Sequence, residues 1–145
     1  MVFLLFQIDR DRYALDIARV AEVVPLVALK RVPGATAGVA GLCDYRGTPV
    51  PVLDLASLAL GRPARERLGT RIVMVRLEDT RLLGLIAENA TDTMVRADSD
   101  FTPAGLAGAA WAGPVCRDAR GLVQRVEPDR LLDEALRAAL YGAEA

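Results

Sequence analysis

The stretch GLCDYRGTPVPVLDLASL, residues 41–58, combines a turn, a strand and the start of a helix. Glycines bound the turn, which gathers Asp44, Tyr45 and Arg46 at the beginning of an apolar run. Tyrosine and arginine are both enriched at protein interfaces, so this turn is a candidate recognition element. A planar arginine beside apolar surface suits binding. A solvated turn arginine, or an intramolecular pair with Asp44 or Glu22, is the alternative.

The residues after the turn predict an edge strand and a short helix. TPVPVLDL alternates well enough to be a strand, but Pro49 and Pro51 cannot donate ladder hydrogen bonds. We therefore expect both prolines to face an unpaired edge. Asp54 is a candidate N-cap for the helix that follows. Before the turn, residues 31–42 hold one proline and three glycines, a composition that predicts mainly loop.

The remaining segments predict a mostly β chain. Two apolar runs near the N-terminus, separated by a polar turn, predict a hairpin. Asp16 is a candidate N-cap for one helical turn, and Pro25 favours an edge position or a bulge in the strand after it. Residues 99–114 are loop-like, with Trp111 as an anchor. Further strands are predicted at 21–29, 70–78, 81–88 and 90–98, with a last hairpin from 111–118 and 120–126.

The C-terminal sequence EPDRLLDEALRAALYG predicts an amphipathic helix over residues 128–141. Pro128 lies in its first turn, where proline is tolerated. One face of this helix would carry Leu131, Leu132, Ala135, Leu136 and Leu140.

A weak internal repeat relates the two halves of the chain. The predicted order in each half is strand, turn, strand, strand, loop, an Arg-Gly pair, strand and helix. The polar segment 61–69 is the best boundary between the halves. Each half would bury little surface alone, so we expect two similar β subdomains around a shared apolar core. The aligned segments are 3–8 with 73–78, 13–24 with 83–94, and 46–52 with 120–126.

Composition argues against nucleic acid or an anionic membrane as the main partner. The chain of 145 residues suits one domain, and 18 basic against 19 acidic side chains leave a net charge of -1. No basic surplus is present to neutralise phosphates. The N-terminal apolar run is too short for a signal peptide or a membrane span, which predicts a cytoplasmic protein.

The side chains that catalysis and metal binding use are scarce or scattered. The chain has no histidine, so Ser57 and Ser99 lack the usual general base. Cys43 and Cys116 lack CxxC spacing and are predicted to be reduced thiols, with a disulfide between them as the alternative. The carboxylates of the N-terminal segment are spread over a turn, a cap and a strand. We expect no catalysis, no cofactor and no metal site.

Three segments, in order and at matching spacing, resemble the CheW-like domain family. They are FQIDRDRYALDIARVAEVV, RVPGATAGVAGLCDYRGTPVPVLDLASL and TRIVMVRLEDTRLLGLIAE, and the resemblance covers about residues 3–133. It implies one domain over residues 1–145, made of two SH3-like five-stranded β-barrel subdomains with short helices. Subdomain one would span about residues 10–65. Subdomain two would span about residues 66–127 plus the N-terminal strand, followed by the C-terminal helix at 128–141.

The resemblance implies a non-enzymatic adaptor of a bacterial chemosensory signalling array. Its expected partners are the cytoplasmic tip of a methyl-accepting chemoreceptor and the regulatory domain of a CheA-type histidine kinase. The protein would be cytoplasmic and recruited to membrane-associated receptor arrays. One alternative is a scaffold of a non-motility pathway, such as surface sensing or attachment, that binds one of the usual partners or self-assembles. Another is an enzyme or small-ligand binder on the same fold.

The resemblance also implies two docking surfaces. Arg46 would lie over an apolar groove between the subdomains, with Glu22 beside it. The chain departs from the family pattern at residues 44–45, 87–88 and 124–125, near the expected surfaces. The receptor-binding groove would use Val20, Glu22, Val24, Gly41, Arg46, Leu83, Leu85 and Ala90. The kinase-binding surface would use Val39, Leu42, Tyr45 and Pro49.

Overall fold

The computed structural model describes residues 1–106 and 108–142. Over these residues the chain is mostly β, as the sequence predicts, and no helix among them is long and apolar enough to cross a membrane. The predicted loop 99–114 includes Ala107, which lies outside the described residues. The strands are β1 (Val2–Ile8), β2 (Asp11–Asp16), β3 (Val20–Pro25), β4 (Val39–Tyr45), β5 (Thr48–Asp54), β6 (Arg71–Arg76), β7 (Leu82–Val95), β8 (Ala112–Asp118) and β9 (Gly121–Val126). The helices are α1 (Leu55–Leu60) and α2 (Glu134–Tyr141), and 3-10 turns occupy Ile17–Arg19, Asp98–Asp100 and Pro128–Leu131.

Strand β7 pairs with both parts of the sheet. Its first half runs antiparallel to β6, and its residues 84–86 run parallel to residues 52–54 of β5. Its second half runs antiparallel to β1. The sequence predicted two strands, 81–88 and 90–98, but the chain continues through a bulge that contains Asn89, where φ is 49°. A bulge bends a strand without ending it, so the polar residues here do not mark a turn.

The strands fall into two five-stranded units that share β7. The first unit consists of β3, β6, the first half of β7, β5 and β4, and the second consists of the second half of β7, β1, β2, β9 and β8. Both units contain an antiparallel hairpin, β4–β5 or β8–β9, and one parallel pair, β5–β7 or β2–β9. Single-residue bridges repeat too, between Lys30 and Leu42 and between Thr102 and Val115. The pairings therefore follow the internal repeat.

The pairings do not follow the predicted subdomain boundary. β2 belongs to the second unit because it pairs with β1 and β9, although it lies within residues 10–65. β6 and the first half of β7 belong to the first unit because they pair with β3 and β5, although they lie within residues 66–127. The two halves of the chain exchange strands, and the apolar pattern of a single strand does not encode that exchange.

Strand β4 occupies residues that the sequence assigned to a loop. It starts at Val39, inside the predicted loop 31–42, and pairs with β5. Gly41 has a φ of 147°, and a Cβ there would lie 2.5 Å from the carbonyl oxygen of Lys30. This glycine serves a close contact within the sheet rather than a loop. β3 ends at Pro25, so the predicted strand 21–29 is too long.

The predicted caps and the proline positions are confirmed. Asp16 caps the first 3-10 turn and Asp54 caps α1, because each carboxylate accepts backbone N–H groups of its own helix. The parallel pairing of β5 with β7 begins only at Val52. Pro49 and Pro51 precede that point, so within the described residues no strand pairs with that edge of β5 beside them.

The C-terminal helix is shorter than predicted. Residues 128–131 form a 3-10 turn, Leu132 is extended, and α2 starts after Asp133. The Asp133 carboxylate accepts a hydrogen bond from Leu136 N at 2.7 Å, which makes it an N-cap rather than an interior residue. Leu131 and Leu132 are each 6% exposed, and the break lets both consecutive side chains enter the core.

One apolar cluster joins the two units, as the expected shared core requires. It contains Phe6 and Leu15 from the second unit and Leu53 and Leu83 from the first. All four side chains are at most 2% exposed. Full burial of such a side chain stabilises a fold by about 1.5–3 kcal/mol relative to exposure. The two units therefore depend on one core.

The two cysteines are free and buried, one in each unit. Cys43 lies in an apolar cluster of the first unit, and Cys116 lies in one of the second. Burial raises the pKa of both thiols above the ordinary value. The prediction of reduced thiols is confirmed, and the alternative of a disulfide between them is wrong.

Candidate protein-binding site

The β4–β5 turn gives Arg46 an exposed position. Tyr45 pairs with Thr48, so Arg46 and Gly47 alone form the two-residue connection of the hairpin. Their φ angles are 52° and 82°, as a type I′ turn requires at both central positions. Glycine adopts this geometry freely, whereas an arginine with positive φ is uncommon. The side chain of Arg46 is 75% exposed.

Glu22 gathers the side chains of Tyr45 and Arg46. Tyr45 donates from its hydroxyl to Glu22 Oε1 at 2.5 Å, and an Arg46 guanidinium nitrogen donates to the same oxygen at 2.7 Å. The guanidinium carbon also lies 5.2 Å from the centre of the Tyr45 ring, a cation–π distance. The hydrogen bond to Glu22, and then desolvation, raise the pKa of Tyr45. We call these three residues the Glu22 cluster.

The intramolecular pair with Glu22, one of the two sequence-based interpretations of Arg46, is present. Glu22 lies on β3, which stands at the end of the strand order and so has a free edge among the described residues. The pair is exposed and therefore worth little stability, about 0–1 kcal/mol for surface pairs in general. Its effect is to hold a tyrosine and an arginine together on the surface beside a strand edge.

The eight residues predicted for the receptor groove divide into a surface set and a buried set. Val20 and Val24 on β3 are half-buried and lie on the same strand as Glu22. Leu83, Leu85 and Ala90 are 0%, 1% and 5% exposed and belong to the shared core, so they do not line an open groove. The first half of β7 is buried on both faces, and its unbroken apolar run was the signal for this.

The four residues predicted for the kinase-binding surface lie together on the β4–β5 hairpin. Gly41, predicted for the groove, is buried beside them on β4. Leu42 is opposite Pro51 in the register, and Tyr45 is opposite Thr48. We call Val39, Leu42, Pro49 and Pro51 the hairpin face.

Helix α2 faces the hairpin face, an arrangement that the sequence did not predict. A cavity of about 200 Å³ separates the two and is lined from the helix side by Leu136, Ala139 and Leu140. A second cavity of about 450 Å³ lies between Pro49 and Tyr141. The sequence signal was the apolar spacing of residues 136 and 140, which identifies a packed face but not its partner.

Three contacts hold the end of α2 against the β6–β7 turn. The Tyr141 hydroxyl donates to the carbonyl oxygen of Leu82 at 2.8 Å, and the Arg81 guanidinium lies 4.9 Å from the Tyr141 ring centre. Arg137 donates to the Asp79 carboxylate at 2.9 Å. Burial raises the pKa of Tyr141 to about 12.

Carboxylates and thiols are not gathered for metal binding in the part of the chain that the structure describes. Its residues contain no group of three or more Cys, Asp or Glu side chains that could hold a metal ion. The described surface around the Glu22 cluster is instead a mixture of apolar, aromatic and charged side chains, which is the composition of a protein interface.

Comparisons with known proteins identify the family of this chain. A chemotaxis protein CheW of Rhizobium meliloti (strain 1021) is 26% identical over 98 residues, which are 68% of this chain and 63% of that protein. The crystal structure of the scaffolding protein TtCheW from Thermoanaerobacter tengcongensis shares the fold, with a TM-score of 0.83 and 20% identity over 93% of this chain and 89% of the other. The family model described as CheW-like domain matches residues 2–136. The chain therefore belongs to the CheW-like domain family.

Proposed function

We propose that this protein is a non-enzymatic scaffold that couples chemoreceptors to a CheA-type histidine kinase in a bacterial chemosensory array. It would act in the cytoplasm and be recruited to membrane-associated receptor arrays through its receptor partners. The observation that carries the proposal is the Glu22 cluster, a half-buried tyrosine and an exposed arginine held by one carboxylate beside a free strand edge. The family match over nearly the whole chain supports the same role.

The names of the two relatives support a scaffold in chemotaxis. One is a chemotaxis protein, and the other is a scaffolding protein with the same fold. Scaffolds of this kind act by binding, so affinity and partner choice are the properties to measure.

The receptor tip, a helical hairpin, would contact the Glu22 cluster and the exposed side of β3. Val20, Glu22 and Val24 lie on that strand, and Arg46 projects from the neighbouring turn. Arginine at such a position offers planar donors to carboxylates or carbonyl groups of a partner helix. Leu83, Leu85 and Ala90 would support this surface from the core instead of touching the receptor.

The kinase regulatory domain would dock on the β4–β5 hairpin. Val39, Leu42, Tyr45 and Pro49 lie on its strands, and the prolines leave one part of its edge without ladder donors. A proline edge prevents indiscriminate strand pairing while leaving apolar surface for a chosen partner.

A scaffold that binds only one of the two partners is the second candidate, and one observation favours it. Helix α2 faces Val39, Leu42 and Pro51, the surface that the kinase domain would need. A receptor-binding scaffold of a non-motility pathway, such as surface sensing or attachment, fits a chain whose kinase-side surface is partly occupied.

Calorimetric titration of the purified protein against the regulatory domain of its cognate kinase, and separately against a receptor tip hairpin, tests the proposal. Binding of both partners is expected. Arg46→Glu should weaken binding of the receptor hairpin, and Tyr45→Ala should weaken binding of the kinase domain. Each affinity should fall by about tenfold or more, a loss typical of an interface anchor. Arg117→Glu on β8, an exposed arginine outside both surfaces, is the matched charge-reversal control.

Three outcomes separate the candidates. Binding of the receptor hairpin alone supports the one-partner scaffold. Absence of both interactions in a protein whose circular dichroism is native contradicts the coupling role, and light scattering would then test for self-assembly. Normal binding by Arg46→Glu and Tyr45→Ala would show that docking occurs elsewhere.

A further inference from the structure

A polar cavity of about 520 Å³ lies away from the Glu22 cluster and shares no residue with it. The β1–β2 turn, the loop between α1 and β6, the β8–β9 turn and the middle of β7 meet there. Four exposed arginines from these separate segments line the cavity, together with Gln7 and the carboxylates Asp9 and Glu88. The arginines are Arg10, Arg65, Arg67 and Arg120. Among the described residues none of the four forms an ion pair, whereas nearby Arg62 pairs with Asp9 at 3.3 Å.

The loop that carries Arg65 and Arg67 is held in place at several points. Thr70 is 1% exposed, donates from its hydroxyl to the carbonyl oxygen of Arg65 at 2.5 Å, and accepts from Arg67 N at 3.1 Å. Ala64 N donates to the Asp54 carboxylate at 2.9 Å. The sequence indicated a polar linker here, but these contacts fix the backbone of the loop that carries the two arginines, which lowers the entropy cost of ordering the loop on binding.

A buried carboxylate forms one wall of the cavity. Glu88 is 5% exposed, and its Oε2 atom is enclosed without a hydrogen-bond partner among the described residues. A buried carboxylate oxygen without a donor is costly, so such an atom calls for an explanation. The next residue, Asn89, has a left-handed φ of 49° and donates to Gln7 Oε1 at 2.6 Å.

The arginines and the buried carboxylate together limit the chemical class of ligand that could bind in this cavity. Guanidinium groups bind phosphate bidentately, and four of them around one cavity suit a ligand with two or more phosphate charges. Glu88 repels phosphate, so the part of the ligand that reaches it has to donate hydrogen bonds. A guanine base offers two parallel donors to a carboxylate, N1–H and the 2-amino group. The cavity volume lies in the usual range for small-molecule sites.

We propose that this cavity binds a guanine nucleotide, with its phosphates against Arg10, Arg65, Arg67 and Arg120 and its base edge donating to Glu88, whose side chain has to rotate for the enclosed Oε2 to face the cavity. Such a site would make the scaffold responsive to a soluble nucleotide through β7, the strand that both units share. Nothing in this proposal depends on which partner the Glu22 cluster binds.

Calorimetric titration of the purified full chain at low salt with GDP, ADP and inorganic pyrophosphate tests the site. GDP is expected to bind at least about tenfold more tightly than ADP or pyrophosphate, because only guanine satisfies the buried carboxylate with two donors. The affinity for GDP should fall as salt is raised, because part of the attraction is between exposed charges.

Variants separate the two halves of the site. Glu88→Gln should abolish the preference for GDP over ADP while pyrophosphate binds as well or better, since a negative charge has been removed. The double variant Arg65→Gln with Arg67→Gln should lower the affinity for all three ligands by about tenfold or more. Arg130→Gln, an exposed arginine outside the cavity, is the charge-matched control and should bind like the parent protein.

Four results would overturn the proposal. The first is absence of saturable GDP binding by the folded protein, and the second is equal affinity for GDP and pyrophosphate. The third is an unchanged GDP preference in folded Glu88→Gln. The fourth is equally tight binding of a poly-glutamate peptide, which would indicate an acidic protein segment as the ligand. If Glu88→Gln does not fold, the relative affinities of the three ligands and the binding by the Arg65/Arg67 double variant still test the proposal.

Discussion

Arg46 donates a hydrogen bond to Glu22 Oε1 at 2.7 Å and so ties the β4–β5 turn to the edge strand β3. Tyr45 donates to the same oxygen at 2.5 Å. Two adjacent residues of the turn therefore share one carboxylate that lies more than 20 residues earlier in the chain. The Glu22 cluster is built by the tertiary fold, and the turn alone does not define it.

Replacing Glu22 with Gln is expected to lower the pKa of Tyr45. The hydrogen bond to Glu22 is the main cause that raises this pKa above the ordinary 10.0, and desolvation is the second. An amide leaves a weaker acceptor and no charge, so the phenol should ionise more easily. The difference in ultraviolet absorbance between the protein and its Tyr45→Phe variant, followed through an alkaline titration, isolates this tyrosine. An unchanged Tyr45 titration in Glu22→Gln would show that the carboxylate does not hold the phenol.

Gly84→Ala is expected to destabilise the fold by about 1–3 kcal/mol, the usual cost of overpacking a core. A Cβ at this position would lie 2.8 Å from Val52 Cγ2 and 3.1 Å from Ile72 Cγ2. Gly84 is where β7 runs beside β5, so the strain falls on the parallel pair of the first unit. Denaturant unfolding measures the change.

Gly108→Ala is the matched control for that substitution. A Cβ there meets no atom within 4 Å, and the same unfolding experiment should give a change within about 0.5 kcal/mol. Equal stability of the two variants would mean that β5 and β7 are less closely packed than the geometry requires.

Local features of this fold were predictable because their causes lie within a few residues. Asp16 and Asp54 were identified as caps from the residues that follow them, and both accept the expected backbone hydrogen bonds. Pro49 and Pro51 were assigned to an unpaired edge because proline lacks the N–H group. Glu22 was one of two named partners for Arg46, and the pair is present.

The strand exchange was not predictable from such causes. β3 pairs with β6 across a separation of about 50 residues, and alternating apolar residues do not specify a partner at that distance. Leu83 and Leu85 were assigned to an apolar receptor-binding groove because the resemblance located them between two subdomains. They are in the core because β7 is covered on both faces there.

Asp118→Asn is expected to make the free energy of unfolding depend less on pH in acid. The hydrogen bond from Arg12, at 2.7 Å, and then the one from Arg120 N lower the pKa of Asp118 from 3.8 to about 2. The stabilisation is fully present above pH 4 and is lost as pH falls through about 2. Its size is about 1 kcal/mol after solvent screening, since this carboxylate is partly exposed.

Urea unfolding at neutral pH and at pH values between 4 and 2 measures this contribution. The variant should be less stable at neutral pH and should approach the parent protein as the pH falls. A constant difference between the two proteins across that range would mean that the Arg12–Asp118 pair does not account for the lowered pKa.

Tyr141→Phe is expected to loosen α2 at neutral pH and to remove an alkaline transition. The lost hydrogen bond to the Leu82 carbonyl costs about 0.5–1.5 kcal/mol, while the ring that Arg81 contacts is kept. In the parent protein burial raises the pKa of Tyr141 from 10.0 to about 12. Its contribution is therefore complete below pH 10 and is lost as pH rises through about 12.

Hydrogen exchange of the α2 and hairpin amides reads out this change, because a loosened helix exposes the hairpin face that it opposes. The parent protein should lose protection of α2 between pH 10 and pH 12, and Tyr141→Phe should already show less protection below that range. Tyr13→Phe, at another tyrosine whose pKa burial raises, should leave α2 protection unchanged. Equal protection of α2 in Tyr141→Phe and the parent protein would show that the tyrosine hydroxyl does not anchor the helix. Helix α2 would then be held against the hairpin face by its apolar side chains and by the Arg137–Asp79 pair.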